Sequence, residues 1–337
     1  LFASWVSKRP PSARLSFGYH RAEILGALAS GLSIWALAGV LVFEAIGRIG
    51  NPAAVHGDWV MGVAASGLVA NAVSLYFLHD HHQDELNVRG AYLHVLADLG
   101  GSVGALISLV GLIALYLKSG AHSFDIVAIT RQLQEHPMSV ADQNLIFPLL
   151  LFGFGILISL WPFHTWAPLG YGSAPAPTAM LHAGVLMKLG HFSIIRVAFE
   201  ILPDTTREMM PIAAVLCIFS IMYGGFVAFY AKDTKYVIGY SSSSHMGYVF
   251  LGMAALNYIS LTGAVIYMFA HAMATGMLFA MAGWVYDQTH TRDLPSLGGL
   301  SNKMPFISAC FIVGCMASIG MPGTVNFIAE IMIIVGS

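Results

Sequence analysis

Long apolar runs, separated by short polar stretches, repeat along the whole chain. A helix needs about 20 apolar residues to cross a hydrocarbon core of ~30 Å. Runs of about that length fall near 24–46, 58–78, 88–117, 144–163, 178–200, 211–231, 236–257, 261–285 and 305–320, and a last one opens near 324. Runs this long favour helices over a closed barrel. The pattern therefore predicts an all-α, polytopic integral membrane protein of about nine transmembrane helices. Some of these are expected to be discontinuous. APAPTAM holds Pro175 and Pro177, and GMPGT holds Gly320, Pro322 and Gly323. Broken helices persist at membrane depth only where protein or water satisfies the freed backbone groups. For Pro175, ordinary loop or kink punctuation is the plainer reading.

Two segments depart from the regular pattern. Residues 88–117 run almost without polar interruption, which at ~1.5 Å per residue is ~45 Å of helix. Tilt absorbs part of the excess, and a helix spliced from two sources would explain the rest. Residues 118–143 form the longest polar stretch and read as an extramembrane amphipathic helix. No internal repeat of the inverted kind is evident.

Composition agrees with a lipid-embedded chain. Of 337 residues, 57% are hydrophobic and 9% charged, and the mean hydropathy is +0.74. Soluble domains carry about 25% charged residues. The net charge of −2 implies no nucleic-acid partner. Cys217, Cys310 and Cys315 lie in apolar runs without a CxxC pair, so neither disulfides nor a cysteine metal site is expected. Lys8, Arg9, Arg14 and Arg21 place the loop 7–21 on the cytoplasmic side. The next inward loop, 79–89, is polar and histidine-rich. The opening LFASWV reads as the tail of a helix already under way, hence a fragment or an internal start.

Ionisable groups inside apolar runs are costly and mark ion paths or partnered sites. In the first third these are Glu44, His94 and Asp98, with Asn71 beside them. His94 and Asp98 stand four apart, on one helix face. They supply two ligands where a tetrahedral zinc site needs four; a hydrogen-bonded pair joining two helices fits the spacing equally well. Farther along come Lys188, Lys235, His245, His271 and Glu330. Lys232 and Lys303 are placed to snorkel, whereas Lys188 is flanked by apolar residues on both sides. A lysine held in an apolar site gives up its proton at accessible pH, and histidine titrates near neutrality. A row of such groups is what a proton relay requires.

Whole motifs sharpen both readings. SFGYHRAEILGALASGLSIW, FEAIGRIGNPAAVHG, GLVANAVSLY and LNVRGAYLHVLADLGGSVGAL follow in order. Over about residues 1–104 the chain thus resembles the cation diffusion facilitator family of zinc and cadmium exporters. The resemblance implies that His94 and Asp98 are half of a zinc or cadmium site and that the other ligands lie upstream; metal transport by this part then requires a second chain to complete the site, with a homodimer as the candidate arrangement. His79, His81 and His82 match that family's histidine-rich cytoplasmic loop, and a solvated loop without a role is the plainer alternative.

Over roughly 100–337, WPFHTWAPLGYGSAPAPTAMLHAGVLMKLG, KDTKYVIGYSSSSHMGYVFLG, MFAHAMATGMLF, THTRDLPSLGGLSNKMP and ASIGMPGTVNFIAEIMI resemble the antiporter-like M chain of proton-translocating NADH:quinone oxidoreductase. The resemblance implies that Lys188 is the central proton carrier and Lys235 a relay. It implies that His271 and His290 line or support the path, and it matches Glu330 to an acidic residue of a late helix. That family's glutamate partner of the central lysine falls where this chain carries exporter-like sequence.

The expected organisation is a hybrid. Residues 1–104 form a partial metal-efflux region and 105–337 a partial proton-translocating region, joined within 98–107 as a natural fusion or as an assembly artefact. Mismatched helix faces there predict poor packing between the halves. The leading function is proton translocation as a membrane subunit with no redox chemistry of its own. No cofactor is expected in the C-terminal part, since it has no cysteine cluster and no GxGxxG following a strand. Other membrane subunits of a respiratory complex are the expected partners, with quinone reached only through them, in a bacterial inner membrane. The alternatives are a zinc or cadmium exporter exchanging metal for protons, and a nonfunctional chimera.

Overall fold

Helix follows helix through the described residues, and the only strand-like pairing among them is an isolated antiparallel bridge between Asp233 and Asp293. The structure, a computed structural model, describes residues 57–79 and 86–337, which fall within one unit, Gly57–Ser337. The predicted span 24–46 with Glu44, the basic loop 7–21, His81 and His82 lie outside the described residues.

The chain order is α1 (Gly57–His79), α2 (Leu86–Ser119), α3 (Ile126–Glu135), α4 (Val140–Ile158) and α5 (Trp166–Ser173). Next come α6 (Ala176–Phe199), α7 (Pro203–Tyr230), α8 (Thr234–Ala254) and α9 (Tyr258–Thr289). A 3₁₀ turn, the single-turn α10 (Leu300–Lys303), α11 (Pro305–Ser318) and α12 (Val325–Gly336) follow. Among the described residues, five helices are long and apolar enough to cross a membrane: Asp98–Ser119 within α2, and α4, α6, α7 and α9. Nine therefore remains a sequence expectation. The predicted span 236–257 is found as α8, whose 21 residues suffice in length, but its SSSSH run dilutes the apolar character. α11 and α12 have 14 and 12 residues, short for a full crossing.

The overlong segment is one continuous helix, α2, of 34 residues. Its second half packs closely on α4. Gly104, Ser108 and Gly111 lie on one face and meet Leu150, Gly153 and Ile156 of α4. A methyl group on Gly104 would fall 2.8 Å from Ile156 Cγ2, and one on Gly111 2.9 Å from Leu150 Cδ2. Small residues let backbones approach where lipid gives no hydrophobic drive for helix association. The polar stretch forms the amphipathic α3. Asp125 caps it by accepting from Val127 N, and Ile129 and Leu133, four apart, are its buried residues.

The two proline motifs act differently. Pro175 is the N-cap of α6, and Pro177 sits in its first turn, where a missing N–H costs nothing. APAPTAM therefore starts a helix. α6 then widens into π turns at His182–Leu186 and Ile194–Phe199, a feature common at functional sites. GMPGT is a true break. Gly320 has φ +65°, and any side chain there would also collide with the Glu330 carboxylate. Thr324 restarts the chain as α12 by accepting from Phe327 N.

The core is built where α4, α5, α6, α8 and α9 meet, around the fully buried Phe147, Leu150, Tyr171, Met187, Phe250 and Phe279. Outward faces are apolar as well: Phe229 is 82% exposed on α7 and Phe269 70% on α9. Such faces suit hydrocarbon and not water. The chain is a multi-pass membrane protein.

Candidate functional site

One face of α9 organises the buried polar groups. Tyr267, His271 and Thr275 are spaced by four and so stack along one stripe. All three are buried, and three other helices bring polar partners to them.

From α6 comes Lys188, in the α-helical stretch between the two π turns. Its Nζ donates to Ala183 O and lies 2.9 Å from His271 Nδ1. The carbonyl is five residues back, within the π turn. Among the described residues Lys188 has no carboxylate within ion-pair distance. Ammonium has no acceptor lone pair, so it donates to Nδ1. With Nδ1 accepting from the ammonium, the neutral His271 carries its proton at Nε2; Thr275 Oγ1 stands beside the ring, 3.1 Å from Nε2 and 3.2 Å from Nδ1.

From α8 comes His245. Its ring meets His271 edge-on at 5.3 Å between centroids and Tyr267 at 6.0 Å, and its buried Nδ1 has no hydrogen-bond partner. From α12 comes Glu330, whose Oε1 accepts from Tyr267 OH at 2.8 Å. The order Lys188, His271, Tyr267, Glu330 thus crosses three helices. His191, three residues after Lys188, is completely buried. Each of its ring nitrogens lies 3.2 Å from a carbonyl, Met187 O on α6 and Met246 O on α8. Only an imidazolium can donate to both.

A second polar centre lies at the other end of α9. Lys235 is buried in the first turn of α8 and donates from Nζ to Ala174 O at 2.7 Å. Asp233 caps α8, with Oδ1 accepting from Lys235 N at 2.9 Å. Its Oδ2 lies 3.2 Å from Arg292 Nε, and Arg292 Nη1 donates to Gly172 O at 2.6 Å. A cavity of about 590 Å³, lined by Pro175, Pro177, Lys235, Gly283, Trp284 and Asp287 among others, opens beside Lys235.

The structure therefore brings Lys188, His271 and Glu330 into one cluster and puts Lys235 in another. His290 joins neither contact set. It is exposed at the left-handed C-cap of α9, with its N–H bonded to Tyr286 O at 2.7 Å and its ring against Tyr286. His94 and Asp98 share α2; the His94 side chain lies outside the described residues. Among the described residues no group of three or more His, Cys, Asp or Glu could hold a metal ion. Tyr267, Thr275 and His191 went unremarked in the sequence. The spacing of 267, 271 and 275 was the available signal, but it marks a shared face without saying what stands opposite.

Comparison with known proteins places this geometry in context. Residues 66–337 match the family described as NADH:quinone oxidoreductase/Mrp antiporter, transmembrane. Residues 1–130 match the cation efflux transmembrane domain, and the two matches share 66–130. Among curated proteins, NAD(P)H-quinone oxidoreductase chain 4 1 of Synechococcus elongatus is 38% identical, over 70% of this chain and 43% of its own. NAD(P)H-quinone oxidoreductase chain 4 2 of Microcystis aeruginosa is 36% identical, over 68% and 41%. This chain therefore spans under half the length of these relatives. Among solved structures, a chain of respiratory complex I from Thermus thermophilus superposes with TM-score 0.69 at 27% identity, covering 82% of this chain and 57% of that one. A chain of the Mrp complex from Dietzia shares the fold, with TM-score 0.65 at 21% identity over 74% and 45%.

Proposed function

Because the chain belongs to the NADH:quinone oxidoreductase/Mrp antiporter transmembrane family, we propose that it translocates protons as an antiporter-like subunit of a respiratory complex in a bacterial inner membrane. Its partners are other membrane subunits, and quinone chemistry stays with them. The observation that carries this reading is the contact of Lys188 Nζ with His271 Nδ1 at 2.9 Å, deep among apolar helices.

The step is short. Lys188 passes a proton to His271 Nδ1, leaving a neutral amine and an imidazolium. The imidazolium gives its other proton from Nε2 to Thr275 Oγ1 while that hydroxyl releases its own proton to internal water, so one proton advances and the ring returns to neutral with its proton at Nδ1. The π-turn carbonyl of Ala183 steadies the ammonium when it is charged. Tyr267 and Glu330 form the next donor–acceptor pair, and His245, with an unpartnered nitrogen, lies between the two pairs. Lys235, beside its cavity, exchanges protons with water from one side. His290, at the rim of α9, supports that side through Tyr286.

The test is vesicle acidification by the chain assembled with its partner subunits. Lys188→Met is expected to abolish it, and undiminished acidification would overturn the reading.

A second reading rests on the match of residues 1–130 to the cation efflux transmembrane domain. In it the N-terminal part, residues 1–104, exports zinc or cadmium as substrate. His94 and Asp98 supply two of four ligands and a second copy of the chain completes the transporter. Metal titration of the purified chain, with and without His94→Ala, tests it: equal uptake by both would exclude His94 as a ligand.

A further inference from the structure

Between the two polar centres the packing is mostly apolar. Along α9, Phe279 lies eight residues beyond His271, roughly 12 Å at the helical rise, and Gly283 at the Lys235 cavity lies one turn farther. Protons cannot cross such an interval through hydrocarbon; they need a chain of groups that both donate and accept.

The interval contains one side chain of that kind from α5. The Tyr171 ring packs against Phe279 of α9 at 6.0 Å and against His182 of α6 at 6.4 Å. Tyr171 is 1% exposed, and its hydroxyl has no hydrogen-bond partner. The same α5 turn ends at Ala174, whose carbonyl holds Lys235 Nζ. On α6, His182 is adjacent to Ala183, whose carbonyl holds Lys188 Nζ. Tyr171 thus stands between the acceptors of the two lysines. On α8, Gly239 packs on Pro168 of α5, its Cβ position 3.2 Å from Pro168 Cα. One turn beyond it, Ser242 Oγ is buried and without a partner, as is His245 Nδ1. Buried polar atoms are normally satisfied, by protein or by internal water. Tyr171 Oη and Ser242 Oγ are two such atoms, and His245 Nδ1, beside His271 and Tyr267, is a third at the His271 end; internal water would satisfy them.

We propose that the Tyr171 hydroxyl relays protons across this interval, through internal water held with Ser242 and His245, and so links the Lys188–His271 pair to Lys235. The hydroxyl accepts a proton from water on one side as it releases its own on the other, and the phenol is unchanged at the end. This rests on the proton-translocating reading above.

The test uses the chain assembled with its partner membrane subunits in sealed vesicles, with acidification rates normalised to the amount of assembled subunit. Tyr171→Phe keeps the ring and removes only the oxygen. It is expected to slow acidification several-fold, Ser242→Ala to slow it less, and Tyr171→His, which again donates and accepts, to restore much of the rate. A wild-type rate in Tyr171→Phe, with Lys188→Met inactive, sinks the tyrosine relay and leaves the proton-translocating reading standing. Equal slowing in the phenylalanine and histidine variants also overturns it, because the phenol would then act through packing. A wild-type rate in Lys188→Met removes both.

Discussion

Lys188 and Lys235 each sit at a helix turn in the protein interior, yet their surroundings differ in kind. The Lys188 ammonium meets a carbonyl and an imidazole and, among the described residues, no carboxylate. Around Lys235 stand the Asp233 cap, the Arg292 guanidinium and a cavity of about 590 Å³ that also reaches Asp287. An ammonium that faces a neutral base, with no counter-ion beside it, is arranged to exchange a proton. An ammonium among charges and next to an opening is arranged to load one. In the proposed function the same residue type therefore serves two tasks, and the neighbours decide which.

The sharpest way to break this contrast is to remove each amine in turn. Lys188→Met should cut vesicle acidification by ~100-fold or more, the scale of a positioned proton-transfer group. Lys235→Met should cost less, roughly tenfold, because cavity water still reaches the interior; equal losses would erase the distinction. A smaller effect is expected at Thr275→Val, which keeps the shape but takes away the acceptor for His271 Nε2. A lost hydrogen bond of about 1 kcal/mol corresponds to roughly fivefold in rate. Smallest for transport is Asp233→Ala, which should slow acidification less than Thr275→Val does, because Arg292 and the cavity remain beside Lys235, and should lower stability by about 1 kcal/mol through loss of the α8 cap. Thermal unfolding in detergent measures the second quantity. A large transport defect in Asp233→Ala would show that the charges around Lys235 belong to the path itself.

Much of the candidate site was legible one helix at a time. Lys188, Lys235, His271 and Glu330 declared themselves as ionisable groups in apolar runs, and the α2, α4, α6, α7 and α9 runs declared themselves by length. What was not legible was pairing. Lys188 and His271 are 83 residues apart, and Tyr267 and Glu330 are 63 apart; no local spacing connects them. The two proline motifs looked alike as strings, yet Pro175 starts α6 whereas GMPGT separates α11 from α12, with Gly320 tight against Glu330. His290 looked like its neighbour in kind, His271, but lies at an exposed helix end. The helix faces at 98–107 looked mismatched, yet at Gly104 the α2 backbone lies close against Ile156 and Gly153 of α4, because there is no side chain to collide.

By itself the sequence determined the solvent, the helices and the inventory of titratable groups, because hydropathy and the period of 3.6 are properties of neighbouring residues. Which of those groups meet was decided only by tertiary structure. Hydrogen-bond distances of 2.8–2.9 Å at the Lys188–His271 and Tyr267–Glu330 contacts exist between helices far apart in the chain, where no local period reaches.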